Sequence, residues 1–150
     1  MTPETVFIVC NYGVIPAWIL LAVAPSWVWT QRVVHQIWVP MLLGVVYLGA
    51  IAVSPPNPYG ASFWTLSGVM LLFSNPYFAL AGWVHYLVFD LFIGAWQVRD
   101  ARRRSMPHLY VLPCLFLTLM AGPIGLLAYL TLRFGMRRAV DLEETGPALV

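Results

Sequence analysis

The stretch Tyr77-Phe-Ala-Leu-Ala-Gly-Trp-Val-His85-Tyr-Leu-Val-Phe-Asp90-Leu-Phe-Ile-Gly-Ala-Trp-Gln-Val98 decides the fold class. It is apolar over more than the ~20 residues that a helix needs to cross a bilayer core, yet it holds one carboxylate, Asp90, deep inside. Asn75-Pro76 in front of it supplies a capping amide and a first-turn proline, the start signal of a helix. Behind it the basic run Arg99-Asp-Ala-Arg-Arg-Arg104 is expected to end the helix as a loop.

The rest of the chain has the same character. Of 150 residues 61% are hydrophobic and 9% charged, against about 45–50% and about 25% in soluble domains, which excludes a freely soluble globular protein. At ~20 residues per crossing the length accommodates about four helices and no extramembrane catalytic domain. All eight basic residues are Arg and the net charge is only +2, too little and too scattered for a nucleic-acid partner. Cys10 and Cys114 fall in apolar stretches and read as small packed hydrophobes. The first residues lack the basic region of a secretory signal, so the first apolar stretch is expected to be a retained helix.

Thr2-Pro3-Glu4 caps that first helix, which runs to about Val23 with a kink at Pro16. Trp27 and Trp29 beside Arg32 mark an interfacial connection, and a second helix follows from about Val33 to Val53, kinked near Pro40. Ser54-Pro-Pro-Asn-Pro-Tyr-Gly60 is a loop, because its prolines remove backbone donors. Ala61 to Phe73 is too short to cross and reads as an interfacial or re-entrant helix. The last apolar stretch, Leu109 to Phe134, is interrupted by Ala121-Gly-Pro-Ile-Gly125, giving either one bent crossing or a broken helix lining a cavity. The expected architecture is an all-α membrane protein: a bundle of about four transmembrane helices plus a short interfacial or re-entrant helix. It forms one domain over residues 1–136, followed by a polar tail over 137–150. With four crossings, Arg32 and the four Arg of residues 99–104 share one face, five against three, and that face is cytoplasmic by the positive-inside rule.

An ionised carboxylate at mid-membrane costs at least ~2.5–3.5 kcal/mol, so Asp90 must face protein, water or a ligand. His85 lies five residues earlier, ~140° around the helix, and both side chains can border one interhelical cavity. As a pair they suit acid and base acting on two atoms of a long ligand, or alternatively hydrogen-bonded braces between helices. Asn11 and Tyr12 are polar groups of the first helix able to orient a ligand oxygen, or to pack. Asp100, among Arg99 and Arg102 to Arg104, reads most simply as a surface charge cluster, and such clusters meet lipid head groups. Ten helical residues separate Asp90 from Asp100 by ~15 Å, so no metal site is expected. Trp83, Tyr86 and Phe89, with Trp18, Trp38, Tyr47, Phe92 and Trp96, either wall a slot for a flat hydrophobic ligand or form membrane belts.

Ala24-Pro25 with Thr30, Pro40 with Leu43-Gly-Val-Val-Tyr47, Trp83-Val-His85 with Phe89-Asp-Leu-Phe92, Asp100, and Cys114-Leu with Gly122-Pro-Ile-Gly-Leu126 together resemble the abscisic-acid-deficient-four family. These are small membrane proteins of plastids with bacterial relatives, required for converting violaxanthin to neoxanthin. The resemblance covers roughly residues 10 to 133. It implies a helical bundle and an isomerisation in which a carotenoid epoxide opens to an alcohol while a neighbouring proton is lost to form an allene, a step that needs no redox cofactor. By resemblance His85 and Asp90 are the acid and base, Asp100 is a third catalytic candidate, and Asn11, Tyr12, Trp83, Tyr86 and Phe89 are the substrate-binding candidates. The missing transit peptide resembles a bacterial member, hence a multi-pass protein of the cytoplasmic membrane. The partners implied are a carotenoid-like small molecule and membrane lipid, with a homo-oligomer left open. A non-catalytic carotenoid- or lipid-binding protein is the alternative class, and a small proton-coupled exporter a third.

Overall fold

The computed structural model describes residues 1–36, 38–138 and 140. They form seven helices: α1 (Pro3–Gly13), α2 (Ile15–Val23), α3 (Val28–Val33), α4 (Trp38–Ala52), α5 (Leu66–Phe73), α6 (Pro76–Arg103) and α7 (His108–Arg137). No strand occurs among the described residues, so the chain is all-α as its composition predicts. Four segments are long and apolar enough to cross a membrane: Pro3–Val23, Val28–Ala52, Pro76–Arg103 and His108–Arg137. Exposed large hydrophobics such as Ile8, Ile19, Leu42, Leu48, Phe116 and Leu127 stud their outer faces, the pattern of surfaces that meet lipid. The polar tail expected from residue 137 lies largely outside the described residues.

Helix boundaries follow the prolines. The break between α1 and α2 falls at Val14, just ahead of Pro16, whose missing N–H cannot serve the Tyr12 carbonyl. The segment expected as a connection up to Arg32 is helical already from Val28. Thr30 Oγ1 donates to the Ala24 carbonyl at 2.6 Å and Gln31 Nε2 to the Pro25 carbonyl at 3.0 Å, which fixes the turn leading into α3. The predicted short helix shrinks to α5, which starts where Thr65 Oγ1 accepts from the Gly68 N–H at 3.1 Å, with Ser62 folded back onto Gly68. Nor do residues 99–104 form a loop: α6 runs on to Arg103, supported by the i,i+4 pair of Asp100 and Arg104 at 2.9 Å.

α6 is the axis of the molecule, and α1, α2, α4, α5 and α7 all pack on it. Close approach is made at glycines: the Trp18 ring lies where a Cβ on Gly94 would project, and the Phe73 ring against Gly82. The asparagine cap of α6 also binds the proline loop, since Asn75 Nδ2 donates to Ser54 Oγ at 2.9 Å and to Asn57 Oδ1 at 3.0 Å.

The last helix is not a straight rod. Ala121 (φ −156°, ψ 49°) and Gly122 (φ 7°, ψ −77°) leave the helical region, and the chain reverses there. Gly125 lies against Thr118, which two helical turns would otherwise hold ~10 Å away. Gln97 Nε2 reaches both arms at once, donating to Thr118 Oγ1 at 3.0 Å and to the Gly125 carbonyl at 3.3 Å. Arg137 donates to the carbonyl of Ser105, in the turn before α7 begins. Residues 108–120 and 123–137 are therefore the two arms of a helical hairpin lying along the lower half of α6.

Candidate functional site at the elbow of the helical hairpin

The elbow meets α6 at Asp90. Pro123 has no N–H to give the Leu119 carbonyl. That vacancy is filled from α6. The Tyr86 hydroxyl donates to the Leu119 carbonyl at 2.9 Å, and the Asp90 carboxyl packs directly on Gly122, beside the Tyr86 hydroxyl. A Cβ on Gly122 would lie 3.0 Å from Asp90 Cγ, so only glycine lets the elbow come this close. Asp90 is 8% exposed. Its Oδ2 is buried without a hydrogen-bond partner. The carboxyl also sits at the N-terminal end of the returning arm, where the helix dipole favours negative charge.

Tyr86 links this carboxyl to an aromatic wall. Its ring lies 5.3 Å from that of Trp83, which in turn lies 5.4 Å from Phe7. Trp83 Nε1 donates to Asn11 Oδ1 at 3.2 Å, joining α6 to α1. Four of the sequence-derived candidates, Asn11, Trp83, Tyr86 and Asp90, thus form one connected site between α1, α6 and the elbow.

The other four lie elsewhere. His85 does not share a cavity with Asp90: it is exposed on another face of α6, 4.5 Å from the Phe89 ring and 6.2 Å from Tyr47 of α4. The ~140° offset between the two residues is expressed in full. Phe89 goes with His85, and Tyr12 is 70% exposed away from the site. Asp100 is no surface charge. It is 3% exposed, accepts from Tyr129 Oη at 2.6 Å, Arg133 Nη1 at 3.2 Å and Arg104 Nε at 2.9 Å, and serves to bind the returning arm to α6. Burial under that arm is what removes it from the basic cluster.

The sequence reading passed over Gln97, Thr118, Tyr129, Arg133 and the backbone of Leu119 and Gly122. One signal was available: Tyr86, Asp90, Gln97, Asp100 and Arg104 recur at spacings of 4, 7, 3 and 4, a single polar stripe down one helix face. Among the described residues no three of His, Cys, Asp and Glu converge as metal ligands would. Two apolar cavities lie off the site. One of about 470 Å³ is between α1, α4 and α6 near Val6, Cys10, Val46 and Leu80. The other, of about 380 Å³, lies beside Pro40, Met41, Phe92 and Arg99, with the Arg99 guanidinium donating to His35 Nδ1 at 3.1 Å.

These features define a class: a multi-pass helical membrane protein with a buried carboxyl at the elbow of a broken helix. Within that class, the chain belongs to the ABA DEFICIENT 4-like family, whose model matches residues 5–129 and so spans the elbow and Asp90. No curated protein and no solved structure matches it.

Proposed function

We propose that the protein is a membrane-embedded isomerase of a carotenoid or related polyene, opening an epoxide to an allenic alcohol, with Asp90 as its acid–base group. The observation that carries this reading is the buried Asp90 carboxyl with Oδ2 unpartnered, set between Tyr86 and Gly122. In the reaction one C–O bond of the epoxide breaks and the electron pair of a neighbouring C–H bond becomes the new double bond. The proton lost from carbon equals the proton gained by oxygen. A single carboxyl suffices: Oδ2 takes the proton from carbon and the resulting acid returns it to the alkoxide. The positive end of the returning arm favours the anionic carboxylate and the developing alkoxide. Trp83 and Tyr86 give a flat apolar wall for the polyene, and Asn11 holds Trp83 in place. His85 and Asp100, expected by resemblance to share the chemistry, have no part in this mechanism, His85 because it faces away and Asp100 because its oxygens are engaged.

The test is chromatography with absorbance and mass detection on pigments from a carotenoid-producing bacterial host, with and without the gene and with epoxy-carotenoids supplied. A new peak of unchanged mass and altered spectrum, absent with Asp90→Asn, is the expected result. Activity retained in Asp90→Asn overturns the assigned role. The second reading, a carotenoid- or lipid-binding protein without turnover, is favoured by the two cavities that lie apart from Asp90. Pigment that co-purifies chemically unchanged, with no new peak, is its signature.

A further inference from the structure

The hairpin changes how the last apolar segment uses the membrane. By length and hydropathy, residues 108–137 qualify as a crossing. As two arms they do not reach: 13 and 15 helical residues measure ~20 and ~22 Å, short of the ~30 Å core. The elbow stands at the depth of Asp90, ~20 Å along α6 from Arg103. Both arm ends return to one level, as Arg137 on Ser105, Arg133 on Asp100 and His108 on the Ala22 carbonyl all show. Non-helical backbone at mid-membrane is tolerated only where protein satisfies it. Tyr86 does so for Leu119, and Asp90 packs against Gly122.

The fold-back also regroups the charges. Arg102 donates to the Pro25 carbonyl and Arg99 to His35, which ties the end of α6 to the connection bearing Arg32. The hairpin adds Arg133, Arg137 and Arg138 to the same end. All eight arginines of the chain then stand at one end, with Thr2, Glu4, the proline loop and α5 at the other. A straight last helix would split them five against three.

We propose that the chain crosses the membrane three times, with residues 108–137 re-entering from and returning to the arginine-bearing face, that face cytoplasmic and the N-terminus on the opposite side. An eight-to-none distribution is a far stronger orientation signal than five to three under the positive-inside rule, and it sets the exposed guanidiniums of Arg32, Arg102, Arg103, Arg137 and Arg138 on the side of the anionic leaflet.

The experiment is side-specific labelling of single cysteines in the full-length protein, using a membrane-impermeant maleimide on intact cells and again after permeabilisation. Cys10 and Cys114 are buried, so the set is made both in the wild-type background and with the two replaced by Ala. Thr2→Cys and Tyr59→Cys are expected to label in intact cells, and Ser105→Cys and Met136→Cys only after permeabilisation. Met136→Cys labelling from the side of Tyr59→Cys overturns the hairpin. Ser105→Cys and Met136→Cys labelling together in intact cells overturns the orientation. Independently, the pair Ser105→Cys with Arg137→Cys is expected to be joined by a short bis-maleimide, whereas a straight 30-residue helix would hold the two ~45 Å apart. Absence of that cross-link in protein that labels at both sites counts against the proposal.

Discussion

Asp90 and Asp100 sit on the same stripe of α6, both buried and both facing the hairpin, yet they are used in opposite ways. Asp100 is saturated, its two oxygens taken by Tyr129, Arg133 and Arg104. Asp90 packs on Gly122 beside the Tyr86 hydroxyl, and its buried Oδ2 has no partner. A saturated buried carboxylate works for the fold, because both oxygens that water once served are now served by protein. A carboxylate with an oxygen to spare has stability left unrealised. Burial alone does not separate the two roles; the partner inventory does.

Breaking the saturated member is expected to have the largest effect on stability. Asp100→Ala removes the buried carboxylate on which Tyr129, Arg104 and Arg133 converge, at a cost of about 3–5 kcal/mol, and thermal unfolding in detergent should show it as loss of most of the folded material. Tyr86→Phe comes next. It leaves the Leu119 carbonyl without its donor, for about 1–3 kcal/mol, and removes one neighbour of Asp90, so both melting temperature and turnover should fall.

Asp90→Asn sharpens the contrast, since it keeps the shape and loses the acid. Stability should change by less than about 1 kcal/mol while product formation falls to background. A melting temperature lowered as far as by Asp100→Ala would erase the distinction between the two carboxyls. The smallest effect belongs to His85→Ala: an exposed ring stacked on Phe89 should matter by no more than about 0.5 kcal/mol, with turnover within a few-fold of wild type. A larger loss of turnover would bring the face of His85 and Tyr47 back into the reaction.

Much of the site was legible because its chemistry is costly. A lone acid in an apolar helix, aromatics one turn away and a Gly-Pro interruption in the last segment are each visible without coordinates. Pairing His85 with Asp90 failed because five residues carry a side chain to a different face, and no pattern in one helix states what packs on each face. Asp100 was misread for a related reason. Its arginine neighbours in sequence suggest an exposed cluster, whereas its partners Tyr129 and Arg133 come from a segment about thirty residues away.

The sequence by itself determined that this is a helical membrane protein, where its helices are interrupted, and that Asp90 is its exceptional residue. Apolar runs, prolines and buried charges act locally, through solvation and backbone donors. Only the tertiary structure decided that the last helix folds back, and with it which carboxyl is saturated by the fold and which keeps an oxygen without a partner. A proline removes a hydrogen bond but sets no direction. The direction is chosen by the surface that can satisfy the broken backbone, and here that surface is the polar stripe of α6.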